Sequence, residues 1–370
     1  MGTRFSETQQ NYYEEIMKVK QLERNLDHGS IPGKSESIPV PTRIGGKAFA
    51  SGFLIALMIL GTNCQESSNN DDLLLGLAIA NQPQPVRMNI QATVDDGKRF
   101  ESNKTVKVAG ANANFRDFRF YMSEIQLVRE NGTRVNVSLR EDGFWQTQNI
   151  VLIDLENGKS TTGSHGGTST GENSSVLGSI PAGTGGFTAL EFTLGVPEEL
   201  NHLQINDSKS PLNIAAMYWA WASGYKFAKI EFSYDSGTTW TNLHLGSTGF
   251  GTSPDPTACQ NEIIAGVFGN CPAKFRPRVR VEGIRGKSLS NLKIELKIPE
   301  WLKGYSTTPG IDTCMPVQST KEDKSCNPLV ENIGLRGRET NSGAINQTDL
   351  DAGVGSRIPN FRQKIFVVAD

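Results

Sequence analysis

The chain offers four histidines and five tryptophans, and two of each stand close enough in sequence to suggest shared chemistry. His202 lies in "GVPEELNHLQ" and His244 in "NLHLGSTGF"; between them runs "MYWAWASGYKF", Met217 to Phe227, which carries Trp219 and Trp221. Neutral imidazoles are good ligands for copper or zinc. Two nitrogens leave either ion under-coordinated unless another ligand or a water joins, and composition and spacing supply no obvious third ligand. Taken singly, each residue also has an ordinary role, as a hydrogen-bonded histidine or a tryptophan packed in a core. Other reactive patterns are weaker. "GTSTG", Gly167 to Gly171, matches the nucleophile-elbow spacing around Ser169, but it lies in a serine, threonine and glycine tract with neither the strand nor the helix that would hold the serine on a strained turn. His165 in the same tract reads as a solvated loop residue. There is no H-E-x-x-H, no phosphate-cradling loop and no haem-attachment motif.

The elements that must position these side chains are strands. Val86, Met88, Ile90, Ala92 and Val94 alternate with polar residues, and the same period of two returns at Leu190, Phe192 and Leu194, at Ala228, Ile230 and Phe232, and at Leu292, Ile294, Leu296 and Ile298. On the His244 strand, Trp240, Asn242 and His244 face one way and Thr241, Leu243 and Leu245 the other. Turn signals such as Glu130-Asn131-Gly132, Glu156-Asn157-Gly158 and Asp235-Ser236-Gly237 separate the runs. An all-β fold follows, with an antiparallel β-sandwich as its closure and long loops pinned by disulfides. The tract from Asn157 to Ser175 cannot bury a core and reads as a loop.

A net charge of -2 with 21% charged residues gives no reason to expect nucleic acid as a partner. Arg43 and Lys47 precede an apolar run from Ala48 to Leu60 that fits a signal-peptide core, and Cys64 follows it in a relaxed lipobox context. Cys64 is therefore expected to be the lipidated mature N-terminus, with an uncleaved membrane anchor as the alternative; both place the rest outside the cytoplasm, in the periplasm or at the outer membrane. The stretch before Arg43 carries Glu14, Glu15 and Glu23 and no apolar core, and is set apart from fold reasoning. The organisation predicted is residues 1–64 as extension and signal peptide, 65–85 as tether and 86–370 as one β-sandwich domain. Export makes disulfides the expected state of the remaining cysteines, Cys259 with Cys271 and Cys314 with Cys326, each closing a loop worth ~3 kcal/mol before strain. A four-thiolate zinc site competes, but neither pair has C-x-x-C spacing.

From about Met88 onward the chain resembles the MbnP-like proteins, the four-Cys members of metallo-mystery pair systems. The motifs that carry the resemblance are "FRDFRFYMSEIQLV", "GFWQTQNIVLIDLENG", "IPAGTGGFTALEFTLGVPEELNH", "SPLNIAAMYWAWASGYKF", "HLGSTG" and the late pair Cys314 and Cys326. The resemblance implies an exported β-rich protein that is not itself an enzyme, with a di-haem cytochrome c peroxidase-like partner, MbnH. It also implies a copper site of two histidines and a kynurenine, made when that partner oxidises a tryptophan. His202 and His244 would be the imidazole ligands, and Trp219 or Trp221 the modified residue. Opening an indole ring leaves a ketone and an aromatic amine where only an N–H donor stood. Trp145, Trp240 and Trp301 are assigned structural roles. Family members carry a cysteine directly after "HLGSTG"; here Phe250 stands there and Cys259 comes later. The alternative function is a structural or adhesive β-sandwich lipoprotein that binds no metal.

Overall fold

The alternating run that starts at Val86 becomes β1 (Gln84–Thr93), with Val86, Met88, Ile90 and Ala92 buried and Arg87 and Gln91 exposed. The computed structural model describes residues 82–102, 104–156, 171–220, 223–247, 271–310, 312–314, 324–340 and 345–369. Contacts divide the chain into two units, Met1–Glu66 and Ser67–Asp370, and all described residues belong to the second. Cys64 and the segment before it, the tract with His165 and Ser169, Trp221, Phe250 and Cys259 lie outside the described residues.

After β1 come β2 (Val106–Val108) and the nineteen-residue β3 (Ala111–Arg129). Short strands β4 (Arg134–Asn136), β5 (Ser138–Leu139) and β6 (Gln146–Thr147) lead to β7 (Ile150–Asp154), β8 (Ser175–Ile180) and β9 (Phe187–Leu194). The aromatic stretch supplies β10 (Tyr218–Ala220) and β11 (Gly224–Tyr225), followed by β12 (Ala228–Ser233) and β13 (Thr241–Leu245). Last come β14 (Arg278–Glu282), β15 (Leu292–Lys297), β16 (Asp312–Cys314) and β17 (Phe366–Val368).

One sheet runs β17-β15-β1-β8-β5; the larger one runs β14-β9-β3-β12-β13-β16, with β2, β4 and β7 also paired to β3. The apolar faces meet between the sheets: Phe366 of β17 touches Phe120 of β3 and Phe192 of β9 with ring centroids 5.9 and 5.2 Å apart. Trp301 closes this core, fully buried against Phe118 and Phe120, its indole N–H donating to the Leu329 carbonyl at 3.1 Å. The expected β-sandwich is therefore present, but its sheets are mixed. β1 pairs in parallel with β15 and β13 with β16, because each pair is joined by a long connection that leaves strand direction free, unlike a tight hairpin. The alternation expected to continue to Ile298 stops at Lys297. Pro299 cannot feed a ladder, and α-helix formation takes over from Ile298 to Trp301.

Cys314 and Cys326 form the expected disulfide, twelve residues apart. Cys271 is also disulfide-bonded. No helix among the described residues is long and apolar enough to cross a membrane.

Candidate metal centre

The second face of β12 overturns the simple reading of an alternating strand with one wet side. Lys229 and Glu231, polar in the pattern, are completely buried. They sit in two cross-strand rows of the larger sheet. One row runs Asp154, Arg119, Lys229, His244 across β7, β3, β12 and β13; the next runs Asp117, Glu231, Asn242. Burying charges is tolerable only if each is paired and hydrogen-bonded. Here Asp117 receives both Arg119 and Lys229, Lys229 also lies 3.0 Å from Glu231, and Arg116 reaches Glu231 at 2.6 Å. Arg116 also donates to the Asn242 side chain at 2.9 Å and stacks 4.5 Å over the Trp240 ring. Water is kept off by the segment that precedes β12: Tyr121, on the same face, donates to the Pro211 carbonyl at 2.9 Å, and its ring meets that of Tyr225.

His244 is embedded in this network. Its Nε2 lies 2.8 Å from Glu231 Oε1, with both side chains fully buried. Burial pushes the imidazole down to about 4, only partly opposed by its hydrogen bond to Glu231 and helped by the nearby Lys226 charge. The ring is therefore neutral at physiological pH, the form that can bind a metal. Burial would raise the Glu231 carboxyl, but the hydrogen bond to His244 and the charges of Lys229 and Arg116 win and hold it well below the usual carboxylate range. Lys226 donates to the Ala216 carbonyl at 2.8 Å and is lowered to about 7, first by burial and then by Lys229.

Short contacts tie the other candidate residues to the same end of β13. His202 follows α1 (Glu198–Asn201) and is half-buried; its Nε2 lies 3.2 Å from Asn201 Nδ2 and 3.3 Å from Cys271 Sγ. The Asn201 side-chain oxygen accepts from the Tyr225 amide at 2.9 Å, packed against Gly224, whose φ of +73° suits glycine. Tyr225 leads on to Gly246: a Cβ there would come within 2.8 Å of the Tyr225 carbonyl oxygen. The half-buried Trp219 ring presses on the same Gly246, two residues beyond His244, with Lys226 Nζ 6.0 Å from its centroid. Asn201, Trp219, Tyr225 and Gly246 thus link the segments bearing both histidines.

Among the described residues no group of three His, Cys, Asp or Glu side chains is arranged to hold a metal ion. A copper centre here would need a ligand of another kind, which is what a ring-opened tryptophan would be; the neutral, carboxylate-held imidazole of His244 and the adjoining Trp219 fit that donor set in kind. Sequence reasoning singled out the two histidines with Trp219 and Trp221, and did not anticipate the buried Glu231, Lys229 and Arg119 beside His244. Their signal was present, since a lysine and a glutamate alternate with apolar residues on β12, but alternation alone does not say which polar face a later segment will cover.

The solved structure of MbnP from Methylosinus trichosporium is similar in fold at 21% identity with a TM-score of 0.58, covering 77% of this chain and 98% of that one. No curated protein matches the chain. The MbnP family model matches residues 83–316, a span that contains the β12 and β13 network, both candidate histidines and Trp219. The chain belongs to the MbnP family.

Proposed function

We propose that this protein binds copper outside the cytoplasm, through His202, His244 and a kynurenine formed from Trp219 or Trp221, and serves in copper acquisition or handling without being an enzyme. Cys64 is the lipid attachment point, and a di-haem cytochrome c peroxidase-like protein is the partner that oxidises the tryptophan. The observation that carries the reading is the buried, neutral His244 held by Glu231 beside the Gly246 turn on which Trp219 packs. A carboxylate behind a histidine is a common support for a metal ligand, since it fixes the tautomer and raises basicity. Family membership and the close links between the segments bearing His202, Trp219 and His244 also support it.

The competing reading is a β-sandwich surface lipoprotein with no metal, in which His202 simply packs against Asn201 and Cys271. Copper titration of the partner-processed protein separates the two. One tight equivalent is expected, lost in both His202→Ala and His244→Ala. Parent-like binding in both variants would remove these residues from the site, and no stoichiometric binding in the processed parent would favour the second reading.

A further inference from the structure

A polar cleft of about 800 Å³, lined in part by Glu199 and Leu200 of α1, is not used by the copper reading. Its walls come from segments far apart in the chain: the bend of β3 at Glu124, β4, the turn at Gln148-Asn149, the helix residues Glu199 and Leu200, Arg278 of β14, and Arg357. That volume suits a small molecule.

The bend in β3 is a bulge: pairing with β9 shifts register between Ser123 and Gln126. Glu124 sits there at φ 51°, a left-handed conformation that a glutamate adopts only when its surroundings fix it. Bulges of this sort re-aim side chains. Its carbonyl receives Arg278 at 2.7 Å and its carboxylate lies 3.1 Å from Arg276. Deeper in, Glu191 holds Arg134 at 2.9 Å, Arg278 at 3.3 Å and Arg280 at 2.7 Å. One carboxylate therefore serves three guanidiniums, and Arg280 has Glu282 as a second partner at 2.6 Å.

That leaves Arg357. Its Nε donates to the Arg276 carbonyl at 2.9 Å, and it pairs with no carboxylate among the described residues. Behind it, Arg276 Nε is buried without a hydrogen-bond partner among the described residues. Burial lowers the Arg357 pKa, Glu124 opposes this, and Arg276 and Arg278 lower it further, so the group stands in a field of like charge. Glu199 is the remaining carboxylate of the lining and makes no ion pair among the described residues. The amides of Gln126, Asn136 and Asn149 add neutral donors.

We infer that this cleft is a binding site for a small oxyanion-bearing molecule, a carboxylate or a phosphate, with Arg357 as its principal anchor. A guanidinium offers parallel donors that match either group two at a time, and an anion there would give Arg357 the partner that Arg276 and Arg278 already have in Glu124 and Glu191. The inference is independent of the copper site.

Calorimetric titration of the full chain at low ionic strength, with citrate in one arm and inorganic phosphate in the other, tests it. One equivalent of at least one anion is expected, and the tighter arm identifies the source. Arg357→Gln should weaken that binding about 10-fold or more, and Arg357→Lys should fall between. Absence of binding in both arms, or parent-like affinity in Arg357→Gln, overturns the inference. If Arg357→Gln melts early, Arg357→Lys decides alone, and parent-like affinity there overturns it equally.

Discussion

Glu231 Oε1 lies 2.8 Å from His244 Nε2, on adjacent antiparallel strands and out of reach of solvent. An ionised carboxylate only accepts, so the imidazole proton sits on Nε2 and the ring lone pair on Nδ1. Glu231→Gln keeps the shape but removes the charge that Lys229 and Arg116 also need. The variant should bind copper about 10–100-fold more weakly than the processed parent. It should also lose ~3–5 kcal/mol of stability, because buried cations are left uncompensated. Copper affinity and urea unfolding measured on the same preparation check both, and unchanged values in both would assign the contact no role.

Mass spectrometry locates the modified tryptophan. Processing by the di-haem partner should add about 4 Da to the intact protein, the difference between tryptophan and kynurenine. If Trp219 is the target, Trp219→Phe abolishes the increment and Trp221→Phe retains it. The reverse result moves the modification to Trp221, and an increment in the double variant removes it from both.

Gly246 is where the Trp219 ring and the Tyr225 carbonyl close on the backbone. A methyl group there cannot fit unless the ring moves. Gly246→Ala should cost ~1–3 kcal/mol as overpacking. Its tryptophan fluorescence should shift to the red as Trp219 is displaced, and a parent-like spectrum and melting curve would contradict the packing described.

Acid should weaken the molecule at Glu191. Burial raises this carboxyl, but the hydrogen bonds and charges of Arg134, Arg278 and Arg280 win and bring it down to about 2. A folded-state pKa below the unfolded value gives stability that is present above about pH 4.5 and lost as pH falls toward 2, at most ~3 kcal/mol. Glu191→Gln should be the less stable protein at neutral pH and should flatten this part of the pH–stability curve. A parallel curve would mean that Glu191 does not carry the effect.

The Cys314–Cys326 bridge closes a twelve-residue separation next to β16, the strand that pairs with the His244 strand. Replacing both cysteines with alanine should lower stability by ~3 kcal/mol on the chain-entropy estimate. Denaturant midpoints of the parent and the double variant test this.

Much of the frame was legible because period two is a strong signal wherever one face is apolar: β1 and β15 follow their alternation nearly residue for residue. His202, His244 and Trp219 stood out as rare residue types, in a chain with four histidines and five tryptophans. The parallel partnership of β1 with β15 was not legible, since about two hundred residues separate Met88 from Leu292 and no local pattern encodes their register. Nor was the role of Glu231. Its burial depends on the segment around Pro211 and Tyr225 packing over the sheet, a tertiary event that the sequence of β12 does not contain.

That covering segment sets an order of events in folding. Asp117, Arg119, Lys229 and Glu231 can shed their hydration cheaply only once β3 and β12 have aligned cation with anion, so dehydration before registry carries the cost of unpaired buried charge. The sheet must form first, with its charged side still wet, and the strip bearing Trp219 must settle onto it afterwards. The neighbourhood of His244 is accordingly among the last parts of the protein to become dry.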